Sequence, residues 1–381
     1  MKKLLPLLLA AANFAASAQA LPAPEIAARN FLLIDMNAQQ TLAERDADAP
    51  ADPASLTKLM TAYLAFAALR DHKVSLTQTL PVSLRAWSER KGGGSLMFID
   101  PKMTPTVDAL LQGLIVDSGN DAAVAIAEGV GGGVDAYVAM MNRQAQAWGL
   151  KGTTFKNVTG LTEVGHRSTA RDITAIAQHI IRDFPEHYHY YSQREYTFNN
   201  IRQDNRNLLL KRDPSVDGMK TGFTEAAGYC LLASAQRDFP NGKRRLLAIV
   251  MGADSMQGRA NEAQKLLNWG FTAFDDVRLV EAGKAVATVP VWKGKTAQVD
   301  IGSPDAIYVA VPKGQGEHLK TQIERTDPLV APLARNQRIG TMKVMSSSGA
   351  AIAAIPLAVL QPVPEAGLFG RAWDAIRLWI K

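Results

Sequence analysis

With 381 residues, 47% hydrophobic and 20% charged, the chain is long enough for two domains and a substantial core, and its composition excludes a disordered or fibrous protein. The formal net charge of +6 falls to +4 once Lys2 and Lys3 are set aside, and the remaining Lys and Arg are scattered, which argues against a nucleic-acid partner. The single cysteine excludes an intramolecular disulfide, and the six histidines show no metal-ligand spacing, so neither a metal nor another cofactor is expected.

Residues 1–20 read as a removable export signal. Lys2 and Lys3 precede an apolar stretch from Leu4 to Ala16, interrupted by Asn13, and Ala18-Gln19-Ala20 supplies a small-x-small cleavage site. Asn30 to Asp35 is a strand that ends in the turn-prone Asp35-Met36-Asn37-Ala38. The run from Pro53 to Leu69 predicts a helix for the interior of a domain, with Asp52 as N-cap and Pro53 in the first helical position. A Gly-rich turn at Gly92-Gly93-Gly94 leads to helical stretches over Val107–Val116 and Ala122–Glu128, which flank Asp117-Ser118-Gly119-Asn120. Another helix runs from Val134 to Trp148, with Gly149 as its stop. Gly218, Gly222 and Gly228 then punctuate short strands, Cys230 is a buried strand residue, and Lys243-Arg244-Arg245 follows Asn241-Gly242 as a solvated hairpin turn. Helices and strands mix here without a βαβ repeat, which predicts an α+β domain over residues 21–275.

From about Val277 the pattern changes to short β-branched runs broken by Gly-Lys or Pro, such as Ala285–Val291, Ala297–Ile301 and Ile307–Val311. A small all-β domain over 276–363 is expected, without a catalytic set. In the tail, 364–381, a helical wheel gathers Phe369, Ala372, Trp373, Ile376, Trp379 and Ile380 on one face and Arg371, Arg377 and Lys381 on the other. Two tryptophans with a cationic back predict an in-plane membrane helix.

The chemistry centres on Lys58, the one charge between Pro53 and Leu69. Burial of a lone amine lowers its pKa, and Ser55, three positions earlier, shares its helix face at about 5–6 Å between Cβ atoms. A neutral amine beside a hydroxyl is a base and a nucleophile. Ser118-Gly119-Asn120 adds a second hydroxyl for a proton relay and an amide to grip a substrate amide. Lys220-Thr221-Gly222, read as a strand edge, offers a cation, a hydroxyl and an open backbone to a carboxylate-ended peptide lying antiparallel.

Those three triplets, in this order, resemble the motif set of the active-site serine penicillin-recognising enzymes. The chain specifically resembles their low-molecular-mass members, the serine-type D-alanyl-D-alanine carboxypeptidases. Further matching stretches are Ile115–Ala122, Phe155-x-Asn157-x-x-Gly160-Leu161, Asp217–Thr224 and Gly258-Arg259. The resemblance implies a penicillin-recognising, β-lactamase-like domain of helices on an antiparallel sheet, a β-rich domain and a membrane-anchoring tail. It implies Ser55 as nucleophile, Lys58 as general base and Ser118 as proton relay, with Asn120, Lys220, Thr221, Gly222, Phe223 and Arg259 binding substrate. The implied substrate is the pentapeptide stem of peptidoglycan, with β-lactams as covalent inhibitors. The implied location is the periplasm, peripherally attached to the outer face of the inner membrane through lipid contacts of the tail.

Gly119 stands where many class A β-lactamases have aspartate, no Glu-x-x-Leu-Asn deacylation motif follows, and soluble β-lactamases lack the second domain and tail. A D,D-endopeptidase or weak β-lactamase using the same site, or a non-catalytic wall-binding scaffold, are the alternatives. Phe223 departs from relatives that carry histidine after Lys-Thr-Gly, and this change is expected to alter substrate preference more than basic reactivity.

Overall fold

The structure is a computed structural model describing residues 21–380; the expected export signal at 1–20 and Lys381 of the tail lie outside the described residues. The chain forms one compact unit over Ala23–Ala273 and a second from Phe274 onward.

In the first unit, strands β1 (Asn30–Asp35) and β2 (Gln40–Arg45) precede helices α1 (Lys58–Arg70), α2 (Leu84–Ser88), α3 (Val107–Ile115), α4 (Asn120–Gly131), α5 (Val134–Ala147) and α6 (Ala170–Asp183). A hairpin of β3 (Glu195–Phe198) and β4 (Ile201–Asp204), the short α7 (Leu209–Arg212), strands β5 (Val216–Thr224), β6 (Gly228–Phe239) and β7 (Gly242–Ala253), and helix α8 (Met256–Ala273) complete it. Five strands form one antiparallel sheet in the order β2-β1-β7-β6-β5, which leaves β5 at an edge.

Strand alternation gives this sheet two apolar faces. Leu32, Ile34, Leu232, Leu247 and Ile249 cluster with Leu59 and Phe66 of α1, Leu114 of α3 and Ile176 of α6. Phe31, Leu33, Leu231, Leu246 and Ala248 cluster instead with Leu266, Leu267 and Phe271 of α8. Each Leu, Ile or Phe among them, fully buried, stabilises the fold by about 1.5–3 kcal/mol before chain entropy is counted. Helix α1 is enclosed on nearly every side, as its all-round apolar sequence requires, and Lys58 at its start is buried with it.

Three local expectations are corrected. The helix does not start at Pro53 under an Asp52 cap: Ala54–Thr57 form a 3-10 turn without a side-chain cap, and α1 begins at Lys58. Ala54 has φ +47, outside the helical region, and a Cβ at Gly160 would come within 1.8 Å of the Ala54 carbonyl oxygen, so a neighbouring loop is pressed against this turn. Gly218 and Gly222 do not end short strands; both lie inside β5. At Gly222 an added Cβ would sit 3.0 Å from the Ala54 Cβ and 3.2 Å from the Ser55 nitrogen, so glycine there serves close approach. Finally, β6 and β7 do join in a hairpin at Gly242, φ +118, and Lys243 beside it is exposed, but the two arginines that follow turn inward. Arg244 is fully buried, its Nε donating to Asp35 Oδ2 at 2.7 Å, and Arg245 Nη1 donates to Asp217 Oδ1 at 2.7 Å.

The second unit holds strands β8 (Phe274–Val280), β9 (Ala285–Trp292), β10 (Gln298–Gly302), β11 (Ile307–Pro312), β12 (Lys320–Arg325), β13 (Leu329–Val330), β14 (Arg338–Met345) and β15 (Ala351–Val359), then helix α9 (Leu368–Ile380). Six strands make a sheet in the order β12-β14-β15-β10-β9-β13, while β11 pairs with β8. Val299, Ile301, Val309, Val344, Leu357 and Val359 belong to its separate core.

The buried Arg244–Asp35 pair ties β7 to β1, and Asp35 Oδ1 also accepts from the backbone N–H groups of Asn37 and Ala38. Removing one partner strands the other charge in the interior. Asp35→Ala is expected to lower unfolding stability by about 3–5 kcal/mol. Urea titration should show this as a lower midpoint, whereas a midpoint within error of wild type would deny the pair that role.

Candidate active site

The 3-10 turn Ala54–Thr57 brings Ser55 to the surface of a pocket of about 260 Å³ while α1 carries Lys58 beneath it. Lys58 Nζ lies 3.0 Å from Ser55 Oγ, 2.7 Å from Asn120 Oδ1 and 2.7 Å from the Thr159 carbonyl oxygen. The last two groups are pure acceptors at these atoms. A neutral amine therefore gives both its hydrogens to them and turns its lone pair toward the Ser55 hydroxyl. Burial pushes the Lys58 pKa down to about 7, against the opposing pull of the Glu89 carboxylate. Near neutral pH this amine is thus free to take a proton from the hydroxyl it faces.

Each partner is held by its own support. Asn120 opens α4, and Asp121 beside it accepts from the N–H groups of Met97 at 2.8 Å and Ile99 at 3.1 Å, pinning the loop before α3. Thr159 lies on a loop folded by Asn157, whose Oδ1 accepts from the Gly160 N–H at 2.7 Å and whose Nδ2 donates to the Leu161 carbonyl at 3.0 Å. Gly160, at φ +88, allows the backbone contact with Ala54. His166 braces the same loop. Its Nδ1 accepts from the Lys156 N–H at 3.0 Å, so Nε2 carries the proton and donates to Thr57 Oγ1 at 2.8 Å. Burial pushes this imidazole down to about 4, keeping it neutral.

Across the pocket, Ser118 sits at the break between α3 and α4 with φ +61, a strained position for a side-chain-bearing residue. Lys220 of β5 donates to Ser118 Oγ at 2.8 Å and to the Thr221 carbonyl at 3.2 Å. Burial and the nearby Lys58, Arg206 and Arg259 charges hold the Lys220 ammonium well below the usual lysine range. Lys220 is itself buried behind Ser118, whereas Thr221, Gly222 and Phe223 of β5 line the pocket with Arg259 of α8. The Arg259 guanidinium donates to the carbonyls of Gly222 at 3.0 Å and Cys230 at 3.5 Å, neutral partners that leave its charge available to an anion. Arg206 reaches the same pocket and donates to the Asp117 carbonyl.

The structure therefore brings Ser55, Lys58, Ser118, Asn120, Lys220, Thr221, Gly222, Phe223 and Arg259 to one place. Sequence reasoning missed Thr159, Arg206 and His166. Thr159 stood inside the Phe155-x-Asn157-x-x-Gly160-Leu161 stretch, but its contribution is a backbone carbonyl, which residue type does not announce. No cluster of metal-ligating side chains occurs among the described residues.

Residues 15–255 match the family described as D-alanyl-D-alanine carboxypeptidase, and residues 274–365 match the C-terminal domain of penicillin-binding protein 5. The chain is 42% identical over 360 residues, 93% of its length, to the D-alanyl-D-alanine carboxypeptidase DacA of Escherichia coli, of which 88% is covered. Among solved structures it resembles penicillin binding protein 5 from Haemophilus influenzae, at TM-score 0.84 and 40% identity over 91% of this chain and 100% of that one. It also resembles a Listeria monocytogenes penicillin-binding protein in an ampicillin-bound form, at TM-score 0.59 and 30% identity over 66% of this chain and 100% of that one. With a match spanning both units and a serine at the pocket surface hydrogen-bonded to a buried lysine where the motifs converge, the chain belongs to the D-alanyl-D-alanine carboxypeptidase family.

Proposed function

We propose that the chain is a serine-type D-Ala-D-Ala carboxypeptidase that removes the terminal D-alanine from peptidoglycan pentapeptide stems through an acyl-enzyme on Ser55, and that penicillins stall it by acylating the same oxygen. The observation that carries this reading is the 3.0 Å approach of the buried Lys58 amine to Ser55 Oγ.

Lys58 takes the Ser55 proton as Oγ attacks the carbonyl carbon of the penultimate D-alanine. The oxyanion so formed is held by the backbone N–H groups of Ser55 and Phe223. Ser118, hydrogen-bonded to Lys220, passes the proton toward the leaving nitrogen. The C–N bond breaks, D-alanine departs, and water hydrolyses the remaining ester. Asn120 orients the stem-peptide amide, while the edge of β5 at Gly222 lets the peptide backbone lie alongside. Thr221 and Arg259 meet the terminal carboxylate at the pocket surface, and Lys220 supplies positive charge from behind. An arriving carboxylate raises the Lys220 pKa and so restores the charge that burial disfavours.

The protein is further proposed to act in the periplasm, attached peripherally to the outer face of the inner membrane. No single described helix is long and apolar enough to cross a bilayer. The polar side of α9 is tied to its own unit, Asp374 Oδ2 accepting from the Lys293 N–H at 2.6 Å and Arg377 lying 5.6 Å from the Trp292 ring centre. Its apolar side is left open, with Phe369 95%, Trp373 63% and Trp379 88% exposed. That arrangement suits insertion into a lipid interface.

Incubation with a pentapeptide, a crosslinked dimer and a penicillin separates release of D-alanine, monomer or penicilloate. D-alanine is the expected main product, and monomer in its place would make the enzyme an endopeptidase. Covalent labelling by a fluorescent penicillin should vanish in Ser55→Ala. The wild-type acylation rate should climb as pH rises through about 7 and level off above it, because the free amine is the active form. In Lys58→Ala the rate should fall roughly a hundred- to ten-thousand-fold and lose that rise; unchanged acylation would remove Lys58 from the role. Deleting the residues after Glu365 should move the protein from the membrane pellet to the supernatant with activity intact, and continued sedimentation would refute the anchor.

A further inference from the structure

One wall of the pocket is apolar and half open. Phe223 on β5 and Tyr229 on β6 are directly opposite in the ladder, their ring centres 4.4 Å apart, so both rings stand on one face of the sheet. Thr221 lies two residues along β5 and shares that face. Met256 opens α8 one turn before Arg259 and lines the same pocket. Phe223 remains 45% exposed and Met256 42% exposed, large apolar surfaces left in water beside a buried cation. The Arg259 guanidinium, 5.6 Å from the Tyr229 ring centre, is hydrogen-bonded to the carbonyl of Gly222, the residue between Thr221 and Phe223.

We propose that Phe223, Tyr229 and Met256 form an apolar subsite for the side chain of the leaving residue, so that the enzyme releases larger apolar D-residues, such as D-leucine and D-methionine, as well as D-alanine. The inference rests on the reading that Thr221 and Arg259 hold the terminal carboxylate. A D-residue fixed there has its α-carbon one bond from the carboxylate, and its side chain is set against the Phe223–Tyr229–Met256 wall. The methyl group of D-alanine covers little of that wall. Each further methylene it buries completely favours binding by about fourfold. A phenyl ring at position 223 offers no hydrogen bond, so polar leaving residues gain nothing there. The reaction is the same amide hydrolysis, with water as co-substrate and the free D-amino acid as product.

The test uses the purified enzyme and N-acetylated L-Lys-D-Ala-D-Xaa peptides in which Xaa is Ala, Leu or Met, with release of the amino acid giving kcat and KM. The D-Leu and D-Met peptides are expected to have kcat/KM within threefold of the D-Ala peptide or above it. In Phe223→Ser and in Met256→Ser the D-Leu to D-Ala ratio of kcat/KM should fall about five- to tenfold, mainly through KM, and Phe223→Leu should restore most of it. Taking the ratio within each variant cancels any general damage to the site. A wild-type D-Leu value more than threefold below D-Ala, or a ratio unmoved by both serine substitutions, overturns the subsite while leaving the carboxypeptidase reading intact. Arg259→Met separates the two ideas: an unchanged KM for all three peptides would take the carboxylate away from Arg259, and the subsite with it.

Discussion

An amine enclosed among apolar helices is unfavourable as a cation, and the first unit is organised around keeping Lys58 in that position. Helix α1 has an apolar surface on nearly every side and can only be stable inside, so the charge at its first position is carried in with it. Two fixed acceptors, Asn120 Oδ1 and the Thr159 carbonyl, then decide how the amine is oriented. They satisfy its hydrogens in the neutral form and leave Ser55 as the group its lone pair faces. Asn120 comes from the start of α4 and Thr159 from the loop stiffened by Asn157 and His166. The arrangement of the Ser55–Lys58 pair thus depends on three separate stretches of chain arriving together.

That convergence demands close backbone contacts, and glycine appears where they are closest. Gly160 and Gly222 approach the Ala54–Ser55 turn from two sides, and a Cβ at either would collide with it or crowd it. The same crowding accounts for the left-handed φ of Ala54, beside Ser55. Ser118 across the pocket is also left-handed. Backbone strain of this kind survives only when the surroundings over-determine it, and here it sits at the two hydroxyl-bearing turns that face one another.

The pocket also concentrates positive charge. Lys58, Lys220, Arg206 and Arg259 disfavour one another's charged forms, which is one reason the Lys220 pKa lies far below its ordinary range. For the empty protein this repulsion is a loss of stability. For a ligand that ends in a carboxylate it is complementarity, because one negative charge relieves several unfavourable interactions at once. The second unit has a hydrophobic core of its own, to which none of these charged groups belongs.

Much of this was legible in the residues. The strand Asn30–Asp35, the helices bracketing Ser118-Gly119-Asn120, the stop at Gly149, the change of pattern before the β-rich unit and the amphipathic tail all follow from short-range periodicity and turn chemistry, which neighbouring residues determine between themselves. The three triplets likewise singled out side chains that the fold brings to one place. What misled was local too: Asp52 and Pro53 look like a helix start, yet the loop at Gly160 forces a 3-10 turn, and Arg244 looks like surface charge, yet its partner Asp35 is remote in sequence. The sequence by itself determined most of the elements, the candidate site residues and the family they point to, because those depend on identity and spacing. Only the tertiary structure decided that Thr159 offers its carbonyl to Lys58, that Lys220 stands behind Ser118 rather than at the pocket surface, and that Phe223 meets Tyr229 and Met256. Such relations arise from strand register and loop packing across distant parts of the chain, where no local pattern records them.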